Sequence, residues 1–185
     1  GGSLVSMLAV FVESASVSLP CNLVFLASAE EENTGSNGIQ SVFPELGQID
    51  FAFVGEPTGM RPAIAEKGLM VLDCCARGKA GHAAREEGVN AIYEAMEDIH
   101  WFRTYQFEKV SELLGPVKMS VTGIEAGTLH NVVPATCRFM VDIRVNELYT
   151  NQEIFDTIRD HVKCDMIPRS FSLNSSSISP SHPVV

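Results

Sequence analysis

Hydrophobic positions in the first third of the chain follow a helix-strand alternation. Up to residue 62, the pattern predicts helices at residues 2–16 and 36–43 and strands at residues 21–27 and 51–54. The two strand segments are short apolar runs followed at once by polar residues. Apolar strands that alternate with helices are typical of a parallel α/β sheet, so we expect one here.

After about Pro62 the pattern changes to an order of strand, helix, strand, strand, helix, strand. The strands are predicted at residues 68–77, 117–125, 132–145 and 165–173, and the first helix at residues 89–103. The second helix opens with Thr150 and Glu153 in a capping box. This order indicates a ferredoxin-like α+β unit, whose helices cover one face of an antiparallel sheet. The other face or an edge is then free for a partner.

Composition narrows the possible functions. The chain has 23 Asp plus Glu against 13 Lys plus Arg, which argues against general binding to nucleic acid or to an anionic membrane. Its five cysteines lack C-x-x-C spacing and fit reduced thiols in a cytoplasmic protein. No apolar run has the length of a membrane span, and no signal peptide is visible.

The two ends of the chain suggest a larger protein. It begins at Gly1 without Met and enters a helical pattern at once, and it ends in a serine-rich loop. We expect this chain to be the middle part of a longer protein.

Carboxylates follow both predicted strands of the first part. Glu30, Glu31 and Glu32 come after the first strand, and Glu56 comes after the second. The carboxyl ends of parallel strands share one edge of a sheet, where ligands collect. Adjacent carboxylates repel one another, and a divalent metal is a common compensation. The alternative is a solvated acidic loop.

Three further residues are candidates for substrate binding. His82 stands among small residues in Gly78-Lys79-Ala80-Gly81-His82, where glycines allow the backbone to approach a ligand closely. Asn131 precedes a predicted strand, and Arg144 lies on it, where a guanidinium could bind a carboxylate through two hydrogen bonds. The alternatives are a solvated loop histidine and a surface arginine paired with Asp142.

Taken together, the motifs resemble one family. They are Ala29-Glu30-Glu31-Glu32, Val54-Gly55-Glu56-Pro57-Thr58, Glu66-Lys67-Gly68, Gly78-Lys79-Ala80-Gly81-His82, and Asn131-Val132-Val133-Pro134 through Asp142-Ile143-Arg144. Their order and spacing are similar to those of the zinc-dependent deacylases and metallopeptidases. That family includes acetylornithine deacetylase and succinyl-diaminopimelate desuccinylase, and the first of these is the more similar.

The resemblance implies a role for each motif residue. Glu31 would be the general base, Glu32 and Glu56 would each bind one of two zinc ions (cobalt is also possible), and His82 would polarise the substrate carbonyl across a homodimer. Asn131 and Arg144 would bind the substrate and its carboxylate. Residues 1–62 would be part of a catalytic metal-binding domain, 63–176 a lid and dimerisation domain, and 177–185 a linker that returns to the catalytic domain.

The same resemblance implies metal-dependent hydrolysis of an N-acyl amino acid, with N-acetylornithine or N-succinylornithine in arginine biosynthesis as the preferred substrate. The alternatives are desuccinylation of a diaminopimelate precursor, a related dipeptidase, or a dimerisation and substrate-binding module without catalysis. The family's remaining metal ligands, including the histidine of an H-x-D motif, are absent from these residues. We therefore expect the 185-residue chain alone to be inactive.

Overall fold

The computed structural model describes residues 2–30, 37–56, 58–59 and 61–185. Two compact units divide the chain, Gly1–Pro62 and Ala63–Val185. The division falls where the hydrophobic pattern changes along the sequence. The catalytic, lid and linker roles expected of these segments stay predictions.

Helices are the regular elements that the structure describes in the first unit. Helix α1 spans Gly2–Ser14, and helix α2 spans Ile39–Val42 and continues into a 3₁₀ helix at Phe43–Glu45. Both predicted helices are therefore confirmed.

The strands predicted at residues 21–27 and 51–54 are wrong, because the described residues of this unit form no strand. The expected parallel sheet is accordingly absent from the described part of the unit. The side chains of Phe53 and Val54 are 66% and 78% exposed. An apolar run marks a segment suited to burial, but a strand also needs a neighbouring backbone to pair with.

The second unit carries the sheets and the longer helices. Its elements in chain order are β1 (Ala65–Glu66), β2 (Gly68–Arg77), β3 (Gly81–His82), α3 (Ala91–Thr104), β4 (Lys118–Ala126), β5 (Val132–Val133), β6 (Thr136–Val145), α4 (Asn151–Arg159), β7 (Asp165–Pro168) and β8 (Ser176–Ser177).

Four of these strands form one antiparallel sheet in the order β4-β6-β2-β7. This arrangement confirms the ferredoxin-like unit. The long β2–β6 ladder runs from Gly68 opposite Val145 to Arg77 opposite Thr136. Strand β7 is shorter than predicted and ends at Pro168.

The strand predicted over residues 132–145 is two strands. Pro134 has no N–H to donate, and it lies between β5 and β6. Strand β5 pairs with β3 in a separate two-stranded sheet, while β6 joins the main sheet. The carbonyl oxygen of Pro134 accepts the Ala91 N–H at 3.1 Å, at the start of α3.

One face of the main sheet forms the core with α3 and α4. Alternate side chains of β2 and β6 point to this face, as the period of a strand requires. The buried apolar residues include Met70, Leu72, Val141, Ile143, Ile154 and Ile158. Asn90 caps the start of helix α3, where its side chain accepts the Ile92 N–H, and the predicted capping box lies at the start of α4.

The opposite face of the sheet, here called the open face, carries charged side chains from β2, β4, β6 and β7. Ion pairs on it join Arg77 to Asp165 and Arg144 to Asp142. All five cysteines are free thiols in the structure. No helix in the described part of the chain is long and apolar enough to cross a membrane.

Candidate functional site

The predicted acidic site falls largely outside the described residues. Glu31 and Glu32 both lie there. The neighbouring Glu30 carboxylate accepts hydrogen bonds from the backbone N–H and the side-chain amide of Asn37, both at 3.2 Å. The convergence of Glu31, Glu32 and Glu56 on one cavity stays a prediction.

Glu56 is the one expected metal ligand that the structure describes, and its side chain is exposed. Among residues 2–30, 37–56, 58–59 and 61–185, no three His, Cys, Asp or Glu side chains are grouped so that they could hold a metal. Protein zinc sites use three or four protein ligands. The described residues therefore do not by themselves fit a zinc site.

His82 and Asn131 are brought together by the small β3–β5 sheet. His82 lies opposite Val132, the residue that follows Asn131. The Ala83 N–H donates to the Asn131 carbonyl oxygen at 3.0 Å. Two residues that are far apart in the sequence are thus neighbours, and both side chains are exposed.

The His82 ring is held by its own loop. Its Nδ1 accepts a hydrogen bond from the Ala84 N–H at 3.1 Å. In the neutral imidazole one nitrogen donates while the other accepts, so the proton is on Nε2. Because the His82 side chain is exposed, its Nε2–H group is then available as a donor. A hydrogen-bond donor of this kind is what polarises a carbonyl oxygen.

The glycines before His82 serve the packing of the chain. A Cβ on Gly78 would lie 2.2 Å from the Val89 carbonyl oxygen, and one on Gly81 would lie 3.0 Å from the Gly88 backbone. The sequence suggested that these glycines let the backbone approach a ligand. In the structure their close approach is to the segment at residues 88–91, which holds the His82 loop in place.

Arg144 is fixed by Asp142 on the open face. Its Nε and Nη2 donate to the two carboxylate oxygens of Asp142 at 2.8 and 3.1 Å. This hydrogen bonding raises the pKa of Arg144 above its usual value, so the guanidinium stays charged. The alternative interpretation, a surface arginine paired with Asp142, describes this contact correctly. The pairing leaves Nη1 pointing away from Asp142, with its hydrogens available to a ligand.

Arg144 lies at the opposite end of the main sheet from His82 and Asn131. Arg77 pairs with Thr136 at the end of the sheet next to β3 and β5. Arg144 lies eight residues after Thr136, further along β6. At about 3.3 Å per residue this separates the two ends by about 26 Å. Within one chain, the structure does not bring Arg144 together with His82 and Asn131.

Sequence reasoning missed two lysines beside Arg144. Lys118 lies directly opposite Arg144 in the β4–β6 ladder. The Lys67 ammonium donates to the Pro116 carbonyl oxygen at 3.0 Å, two residues before the same strand begins. Lys67 stands in a recognised motif, but the proximity of Lys118 depends on the strand register, which the sequence pattern does not specify.

Curated relatives share parts of this sequence. The chain is similar to succinyl-diaminopimelate desuccinylase 2 of Ruegeria, with 27% identity over 167 residues, covering 84% of this chain and 42% of the relative. It is also similar to acetylornithine deacetylase of Myxococcus xanthus, with 33% identity over 133 residues, covering 68% of this chain and 35% of the relative. The chain thus spans about two fifths of the length of these relatives.

Solved structures share the fold. Aminopeptidase PepT of Bacillus cereus matches with a TM-score of 0.51 and 16% identity, over 65% of this chain and 34% of that one. A metallo-carboxypeptidase of the M20 family from Sulfolobus solfataricus matches with a TM-score of 0.50 and 14% identity, over 65% of this chain and 47% of that one.

The family resemblance predicted from the motifs is confirmed by these relatives and by a family match. Residues 64–167, more than half of the 185 residues, match the family described as the peptidase dimerisation domain, M20_dimer. They include β2 to β6, α3, α4 and most of β7, and with them His82, Asn131 and Arg144. The chain therefore belongs to the M20 peptidase dimerisation family.

Proposed function

We propose that the full-length protein containing this chain hydrolyses the amide bond of an N-acyl amino acid, with the second unit as its lid and dimerisation domain. The observation that carries this proposal is the β3–β5 pairing, which places His82 beside Asn131 with Nε2–H free to donate. The curated relatives, a deacetylase and a desuccinylase, both act on acylated amino acids by their names. N-acetylornithine or N-succinylornithine is the preferred substrate, in arginine biosynthesis in the cytoplasm.

A second candidate is desuccinylation of a diaminopimelate precursor, which the relative from Ruegeria favours by its name. In both candidates Glu31 is the base that takes a proton from the attacking water and returns it to the leaving amine. Glu32 and Glu56 are the proposed ligands of two metal ions, zinc in the preferred form. When bound, such ions supply Lewis-acid charge for activating water and polarising the amide carbonyl.

The positions of the lid residues support a site shared between two chains. An N-acyl amino acid is far shorter than the roughly 26 Å of β6 that separates Arg144 from the end of the sheet next to the His82–Asn131 pair. One substrate can therefore contact all three only if Arg144 comes from one subunit and the pair comes from the other. We propose that the protein works as a homodimer for this reason, as the family description suggests.

Strand β4 and helix α3 form the surface best suited to such a dimer. Strand β4 is a nine-residue edge without proline, whereas the other edge, β7, has four residues and ends in Pro168. Helix α3 packs on β4 and exposes Tyr93 and Met96, and Ile124 of β4 is 59% exposed. An exposed edge with apolar neighbours is the type of surface that a second copy can cover.

The proposal is tested on the metal-loaded full-length protein. Glu31→Gln is expected to lower kcat by at least 100-fold and leave the metal content nearly intact, because it removes a base. Glu32→Gln is expected to lower both kcat and the metal content. Turnover is measured on N-acetylornithine, N-succinylornithine and N-succinyl-diaminopimelate, and metal by elemental analysis. Wild-type protein that is fully loaded but hydrolyses none of the three would contradict the proposal and leave the binding-module alternative.

A further inference from the structure

Three cations meet at the end of the open face that is remote from His82. Lys118 and Arg144 are directly opposite each other in the β4–β6 ladder. Lys67 immediately precedes Gly68, which pairs with Val145, and the Lys67 ammonium donates to the carbonyl oxygen of Pro116, two residues before β4. This group, Lys67, Lys118 and Arg144, is called the cation cluster below.

The cation cluster has too little negative charge around it. Asp142 pairs with Arg144. Within the part of the chain that the structure describes, neither Lys67 nor Lys118 has a carboxylate oxygen within 4.0 Å. Like charges directly opposite on neighbouring strands destabilise a sheet. Partial burial, and then the charge of Lys118, lower the pKa of Lys67. An anion bound among these side chains would relieve the repulsion.

The geometry of the cluster indicates which kind of anion fits. Asp142 occupies the Nε side of the Arg144 guanidinium and so fixes its plane, while Nη1 stays available. A guanidinium edge matches the two oxygens of a carboxylate. Lys118 extends from the next strand, with its Cβ about 5 Å from that of Arg144. Three separate cations, on β4, on β6 and just before β2, suit two carboxylates on a short chain better than one compact phosphate.

We propose that Lys67 and Lys118, together with Arg144, form a binding site for dicarboxylates. This inference rests on the proposed function, in which Arg144 binds the carboxylate of an N-acyl amino acid. The two lysines add a contact for a second carboxylate, at the end of the acyl group. Dicarboxylic acyl groups such as succinyl are then preferred over acetyl, which has no charge to offer.

Binding is tested on the 185-residue chain by following backbone amide NMR signals during titration with succinate, acetate or inorganic phosphate at constant ionic strength. Succinate is expected to shift signals near residues 67, 118 and 144 and to bind at least about fivefold more tightly than acetate or phosphate. Lys67→Met and Lys118→Met are each expected to weaken succinate binding about three- to fivefold, as for an exposed ion pair. Lys163→Met is the matched control, since Lys163 is an exposed lysine outside the cluster.

Equal binding of phosphate and succinate would overturn the dicarboxylate assignment. Equal weakening by Lys163→Met and Lys118→Met would overturn the site itself, because it would show only general attraction between the anion and the chain.

A second measurement separates this inference from the proposed function. In the metal-loaded full-length protein, Lys118→Met is expected to lower the ratio of kcat/KM for succinylated over acetylated ornithine about threefold or more. Hydrolysis with an unchanged ratio in both lysine variants would overturn the inference and leave the proposed function in place. Selective succinate binding in a full-length protein that hydrolyses no acyl amino acid would overturn the proposed function and leave the inferred dicarboxylate site in place.

Discussion

Gly78 packs directly against Val89, so that a Cβ atom at position 78 would lie 2.2 Å from the Val89 carbonyl oxygen and 2.7 Å from the Ala91 nitrogen. Both neighbours are backbone atoms, so neither can rotate away. The Gly78 N–H also donates to the Ala135 carbonyl oxygen at 2.8 Å. The packing of Gly78 on Val89 and Ala91 ties the end of β2 to the start of α3 and positions the loop that carries His82.

Gly78→Ala is expected to lower the free energy of unfolding of the second unit by about 2 kcal/mol or more, since overpacking displaces backbone. Gly123→Ala is the matched control, because a Cβ there would meet only Met140, at 3.7 Å. Urea denaturation followed by circular dichroism measures both. A Gly78→Ala variant as stable as Gly123→Ala would show that the segment at residues 88–91 moves away at little cost.

The second unit could be predicted from its sequence because its own residues supply both the pattern and the partners. In β2 and β6 every second residue is buried, and the strands pair with each other over ten residues. Helix α4 begins where Thr150 and Glu153 predict it. The break at Pro134 was also visible in principle, because a proline cannot donate within a ladder.

The first unit and the cation cluster could not be predicted in the same way. The segments at residues 21–27 and 51–54 have the composition of strands, but pairing depends on a neighbouring backbone that composition does not reveal. The juxtaposition of Lys118 and Arg144 depends on a register that includes a shift between Val121 and Gly123. One residue of difference in that register would place Lys118 on the other face.

The buried carboxylate of Asp98 holds the turn before β7. It accepts the backbone N–H groups of Lys163 at 3.0 Å and Cys164 at 2.9 Å, and the residue is only 5% exposed. Asp98→Ala leaves these two donors without their acceptor, so we expect a loss of about 2 to 4 kcal/mol in the free energy of unfolding. Glu97→Ala, an exposed change on the same helix, is the control in the same urea titration. Similar stability of the two variants would mean that water replaces the carboxylate.

The ion pair between Asp73 and Arg169 predicts a dependence of stability on pH. Hydrogen bonding to Arg169 lowers the pKa of Asp73. Because the folded-state pKa lies below the unfolded value of about 3.9, the stabilisation is complete above that pH and is lost as pH falls through the folded-state pKa. The difference in free energy of unfolding between wild type and Asp73→Asn should therefore be constant from pH 7 to 5 and shrink below pH 4.

Urea denaturation at several pH values measures this difference, with Glu108→Gln as the control at an exposed carboxylate outside any described ion pair. A difference between wild type and Asp73→Asn that persists undiminished at pH 2.5 would show that the effect of the substitution is not electrostatic.

The shared site is tested by mixing inactive variants of the full-length protein. In the proposed dimer, each site takes Glu31 from one chain and His82 from the other. Glu31→Gln and His82→Ala are each expected to have little activity alone. After subunit exchange at equal concentrations, half of the dimers are mixed and one site in each has both groups, so activity should recover to about one quarter of the wild-type value.

A second mixture shows whether the recovery has this origin. His82 and Asn131 lie together at the same end of one lid, so both reach a given site from the same chain. Mixing His82→Ala with Asn131→Ala should therefore restore no activity, because each site of the mixed dimer lacks one of the two. Subunit exchange is verified by native mass spectrometry of differently tagged chains. Verified exchange without recovery in the first mixture, or with equal recovery in both, would show that His82 does not act across the dimer.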